Sequence, residues 1–141
     1  MRSPHPLHWS VLGVVAVGGA VGALLRYGLT LGFPDAQDGF PWTIFAVNVV
    51  GCFVLALLPA FTVVRRRPLL PPLLGTGVLG GFTTLSTYAD QSRALLASGR
   101  VVPAALYVVG TLAACLAAVL VADRFSSASA RREFDAEEGD L

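Results

Sequence analysis

Arg26 and Asn48 are the two residues in this chain whose chemistry contrasts most with their neighbours. Arg26 follows Ala23-Leu24-Leu25, and Asn48 sits among Val47, Val49 and Val50. A cation in apolar sequence is costly, so it faces a polar interior or reaches for an interface, and its charge favours anions. An Asn in the same setting either hydrogen-bonds between helices or offers its amide to a passing anion. A third feature is the run from Gly75 to Tyr88: Gly75, Gly77, Gly80 and Gly81, then Thr83, Thr84, Ser86 and Thr87. Four glycines each weaken a helix by about 1 kcal/mol relative to Ala. Broken backbone at membrane depth frees carbonyls for cations and N–H groups for anions. The competing reading is a tight helix seam, because Gly77-xxx-Gly81 repeats the spacing of Gly18-xxx-Gly22 and Gly28-xxx-Gly32. No nucleophile–base pair and no metal-ligand cluster accompanies these residues, so an enzyme is not expected.

The elements that carry them follow from where charge is missing. Between Arg2 and Arg26 lie 23 uncharged residues, between Asp38 and Arg65 26, between Arg67 and Asp90 22, and between Arg100 and Asp123 22. About 20 apolar residues cross a bilayer core as a helix. The 141 residues are 55% hydrophobic and 13% charged, too little charge to cover a small soluble globule. The reading is an all-α integral membrane protein with four transmembrane helices, at about 9–33, 42–64, 69–96 and 101–122, the third of them broken. Arg26 is the one ion recognised inside a span. The apolar stretch from Val11 to Leu25 continues through Arg26-Tyr27 into further apolar sequence, unlike a cleaved signal.

Outside the spans lie an N-terminal segment, 1–8, and a tail, 123–141, whose Ser-rich start and mixed charge predict disorder. Cys52 and Cys115 fall within spans and read as small packing residues rather than a disulfide. With an even number of spans, Arg2, Arg65, Arg66, Arg67 and Arg124 share one side, against Arg93 and Arg100 on the other. Positive residues stay inside, so both termini are placed in the cytoplasm and the tail with them. Four helices are too few to enclose a polar path and bury their small-residue faces, so a dimer or larger assembly is expected.

Three stretches resemble the Fluc (CrcB) family of fluoride channels. Gly18 to Tyr27 resembles the family's opening motif. Phe40-Pro41-Trp42 followed by Val47 to Phe53 is similar to its second-helix motif, and Gly80 to Tyr88 to its third-helix signature. Their order and spacing agree over about residues 10–122. The resemblance implies an antiparallel, dual-topology dimer in the cell (plasma) membrane, with two fluoride pores and one central structural sodium ion. The carbonyls that hold this sodium correspond to Gly80 and Thr83 of each subunit. Asn48 matches the pore Asn, Leu85 and Tyr88 the two stacked Phe positions, and Tyr107, Thr111 and Cys115 the fourth-helix polar track. The third-helix hydroxyls, Ser86 among them, join the fluoride pathway, and Arg26 supplies an attracting charge.

Departures from the family pattern point to a partner. Leu85 has no ring, Thr43-Ile44 stands where Gly-Thr is usual, and Cys115 replaces a Ser. Five Arg against two is an imbalance that a chain inserting both ways should not have. The expectation is therefore a fluoride-exporting channel subunit, as a homodimer or as one half of a heterodimer with an opposite-orientation homologue. A non-conducting structural partner is the alternative. A four-helix coupled exporter fits less well, since it needs a membrane-embedded Glu.

Overall fold

The computed structural model describes residues 7–36 and 39–139, with side chains described as far as residue 127. The expected N-terminal segment therefore lies mostly outside the described residues. The described elements are helical. Helix α1 spans Leu7–Gly32 and α2 spans Trp42–Leu57. A 3-10 turn, Leu58–Ala60, and a short helix α3, Thr62–Arg66, follow. A π-helical segment, Pro72–Leu79, leads into the single turn α4, Gly80–Phe82; α5 covers Leu85–Ala97 and α6 covers Val101–Gly139. Three stretches are long and apolar enough to cross a membrane: Trp9–Gly32, Trp42–Ala60 and Val101–Ser127. Their outward residues, such as Leu24, Val102, Leu106, Val109 and Leu116, are large, apolar and exposed. A helix apolar on its outer face needs lipid or another helix against it, and the protein is a membrane protein.

Four expectations need correction. The second span is not one helix to residue 64. Pro59 has no N–H for the ladder, so α2 ends at Leu57 and the chain turns before α3. The segment expected as the third span is both broken and a seam, where the sequence set these against each other. Arg26 is not the one ion within the spans, because Asp90 and Arg93 both lie in α5. They form an exposed 2.9 Å ion pair that marks where its apolar part ends. Finally, the tail is helical through Gly139 rather than coil. Its Ala, Arg and Glu are good helix formers, and extending an existing helix avoids the cost of nucleation. At 39 residues α6 rises about 58 Å, nearly twice a hydrocarbon core.

Packing follows two seams. Helix α1 lies along the π segment and α4, while α2 lies along α6. In the first seam the contact is backbone on backbone. A Cβ on Gly22 would strike the Val78 carbonyl and the Phe82 amide, and one on Gly81 would strike the Gly19 carbonyl. Gly18 and Gly77 also face each other, a Cβ on either lying 3.1 Å from the other's Cα, whereas Gly28 and Gly32 have nothing near them, so only one of the two α1 motifs is used. The second seam is built from side chains. Ile44, Tyr88, Leu95, Ala104 and Tyr107 form its core, at helical spacing on α2, α5 and α6. The α1–α2 and α5–α6 connections meet at one end around Asp35, Gln91 and Arg100, while Pro59, Arg65 and Pro71 gather at the other.

Candidate functional site

The break between α4 and α5 lies at Thr83 and Thr84, both extended, with ψ of 157° and 120°. An interrupted helix strands backbone donors and acceptors, which must find other partners. Asn48, from α2, supplies two of them. Its Nδ2 donates to the Thr84 carbonyl at 3.1 Å, and the Thr84 N–H donates to its Oδ1 at 2.9 Å. Thr84 then caps α5, its Oγ1 accepting from the Thr87 N–H at 3.1 Å. The Thr83 hydroxyl bonds back to the Leu79 carbonyl at 2.9 Å. Nothing in the local sequence joins residues 48 and 84. The contact comes from packing.

These diversions have a consequence for the two expected cation positions. In a continuous helix the Gly80 carbonyl would accept from Thr84 and the Thr83 carbonyl from Thr87. Both of those N–H groups are turned elsewhere, to Asn48 and to the Thr84 side chain. Arg26 donates from Nε to the Gly81 carbonyl at 3.3 Å, and so occupies the acceptor between them. Gly80 and Thr83 both border an open groove of about 600 Å³ beside Leu55, Gly75, Thr76 and Leu79. Two carbonyls released from the ladder are the donor type a hard cation takes, so the residues fit a sodium ion.

On the other side of the break, Asn48, Thr83, Thr84, Leu85, Tyr88, Thr111, Cys52 and Cys115 line a second groove of about 240 Å³. It brings together most of the expected fluoride-pathway residues. Their hydrogen-bonding capacity differs. Tyr88 OH donates to the Val108 carbonyl at 2.9 Å, and Tyr107 OH donates to Gln91 Oε1 at 2.7 Å. Their hydroxyls are committed, and the two rings sit 5.2 Å apart, tilted by 50°. The Ser86 hydroxyl lies 3.2 Å from Thr84 Oγ1. Asn48 keeps a second amide hydrogen. Thr111 Oγ1 is buried with no partner, and the residue is only 3% exposed. A buried hydroxyl without a partner costs free energy unless something passing through satisfies it.

Ser86 and Tyr107, both expected on the fluoride pathway, do not line this groove, and three more residues stand apart from the expectation. Arg26 serves the Gly81 carbonyl on the far side of the break rather than the groove with Asn48. Leu85 borders the groove but is 77% exposed. Ile44 does not line it; it is 1% exposed within the core against Tyr88 and Tyr107. The sequence reading also missed Gln91 and Phe40, which hold Tyr107 from either side. Phe40 meets its ring edge-on at 5.3 Å. Gln91 lies next to Asp90 and reads as a surface residue, although its spacing of three from Tyr88 was a signal for the same face.

The model of a family described as "CrcB-like protein, Camphor Resistance (CrcB)" matches residues 13–122. The fluoride-specific ion channel FluC 1 of Streptomyces coelicolor is 49% identical over 114 residues, 79% of this chain and 74% of that protein. FluC 2 of Nocardia farcinica is 43% identical over 133 residues, 90% and 94% of the two chains. The FluC channel of Paracoccus denitrificans is 41% identical over 106 residues, 75% and 86%.

Proposed function

The chain belongs to the CrcB family, and from that premise we propose that it is a subunit of a fluoride-selective channel that lowers cytoplasmic fluoride by passive export. The observation that carries this is the 240 Å³ groove beside the break. Among the described residues lining it there is neither carboxylate nor cation. What it offers is a spare Asn48 N–H, the unpartnered Thr111 hydroxyl and the aromatic edge of Tyr88. Each presents positive partial charge to an anion stripped of water. None binds so strongly that the ion could not leave.

Passive export suffices energetically. Hydrogen fluoride enters as a neutral acid and ionises inside. A potential of about 100 mV, inside negative, drives one negative charge outward with about 2.3 kcal/mol. At about 1.4 kcal/mol per tenfold, that sustains a gradient approaching fiftyfold. The test is fluoride efflux from liposomes holding this chain alone, with chloride as control. Rapid fluoride-selective efflux supports the reading. If none follows from folded protein, even with the nearest homologue of opposite charge bias added, the reading is wrong.

The finer architecture has four spans, the third being the segment from Pro72 to Ala97, in an antiparallel dimer with two pores. Exposed Gly80 and Thr76 and the wide groove around them suit burial against a second subunit. There the Gly80 and Thr83 carbonyls of both chains would surround one structural sodium ion, which supplies a positive centre that ties the subunits together. Exchanging sodium for a large organic cation should lower the dimer's melting temperature. An unchanged melt would remove the ion from the site. Five Arg against two near the membrane favours one orientation, with both termini cytoplasmic, hence a heterodimer. A terminal tag accessible equally from both faces of intact cells would contradict this. The 77% exposure of ringless Leu85 favours pairing with a chain that supplies the missing aromatic edge.

A further inference from the structure

We propose that Cys52 and Cys115 form a two-thiol binding site for a soft, thiophilic metal ion of the Cu(I), Ag(I) or Hg(II) class, set within the groove that also holds Asn48 and Thr111. Cys52 lies four residues beyond Asn48 on α2, and Cys115 four beyond Thr111 on α6. Each thiol therefore shares a helix face with a groove residue. The two helices pack along their length, and the thiols are free and half-buried. Both line the same groove, which is large enough for an ion beside them.

Two sulfurs select the class of ion. Zinc takes four ligands, and among the described residues no group of three or more His, Cys, Asp or Glu side chains exists to supply them. Thiolates prefer soft closed-shell ions, and the two-coordinate ones need only this pair. For Hg(II) the step is a proton exchange. Two S–H bonds break, two Hg–S bonds form, two protons leave to groove water, and no electrons change hands. The ion would clamp α2 to α6 and stand beside Asn48 and Thr111. The binding site is independent of the proposed channel activity; obstruction of fluoride rests on it.

The test uses the full chain, titrated with Hg²⁺ in detergent and then assayed in liposomes. The expected result is one ion and two protons released per chain, with thiolate-to-mercury absorption and a raised melting temperature. Fluoride efflux is lost and returns on adding a dithiol chelator. Cys52→Ser and Cys115→Ser each release one proton and show no rise in melting temperature, and limiting Hg²⁺ leaves whatever efflux each variant has before treatment unchanged. If each single variant shows the wild-type melting shift, or the wild type releases one proton per ion, the thiols act separately and the site is overturned. If untreated protein moves no fluoride, the channel reading fails, while the proton count and melting shift still decide the site.

Discussion

The two sides of the broken segment from Pro72 to Ala97 solve opposite problems. Toward α1, Gly18, Gly22, Gly77 and Gly81 remove side chains so that backbones touch. Toward α2 and α6, Asn48, Thr84, Tyr88 and Thr111 keep side chains and leave a groove. The first side has no spare volume and the second has spare hydrogen-bonding capacity. The break at Thr83–Thr84 is tolerated because Asn48 reaches it from the groove side.

Substitutions can break or sharpen that contrast. The largest effect is expected for Gly22→Val, whose side chain meets backbone on two sides. Overpacking that cannot be relieved should cost about 3 kcal/mol or more, seen as lost folded yield and a lowered melt. Gly28→Val, in open space, should leave both nearly unchanged. Next, Asn48→Leu strands the Thr84 N–H and carbonyl, at about 1–3 kcal/mol for each buried group, and should lower stability and flux together. An Asn48→Leu protein with an unaltered melt would show that the break does not depend on this pair.

Thr111→Val should separate the two sides most cleanly. No intramolecular bond is lost, so the melt should hold while fluoride flux falls about tenfold, the worth of one hydrogen bond to an anion. Equal losses of stability and flux would assign the hydroxyl to packing. The smallest effect belongs to Leu85→Phe, which adds a ring edge at an exposed position. Flux from the chain alone should rise by up to about fivefold, corresponding to roughly 1 kcal/mol, with no change in melting. No gain would indicate that this position does not limit conduction.

Much of this arrangement was legible from local sequence. Three of the four charge-free runs located the helices long and apolar enough to cross a membrane, and the Gly-rich stretch followed by hydroxyls located the break. Where the reading went astray, neighbouring residues gave ambiguous evidence. Gly77-xxx-Gly81 is compatible with a seam and with a break, and it proved to be the seam with the break just after it. The Ser-rich start of the tail suggested coil, yet the segment extends a helix already formed. Arg26 stands out by its charge, but which acceptor it serves depends on a carbonyl 55 residues away.

By itself the sequence determined where the chain is apolar, where its backbone cannot stay helical, and which few polar side chains stand among apolar neighbours. Those are properties of composition and of single residues, carried over short windows. Only the tertiary structure decided that Asn48 answers Thr84, that Gly18 and Gly22 rather than Gly28 and Gly32 form the seam, and that Tyr88 and Tyr107 commit their hydroxyls while Thr111 keeps its own. A hydrogen bond or a steric contact belongs to a pair of groups, and here the members of each pair lie far apart along the chain.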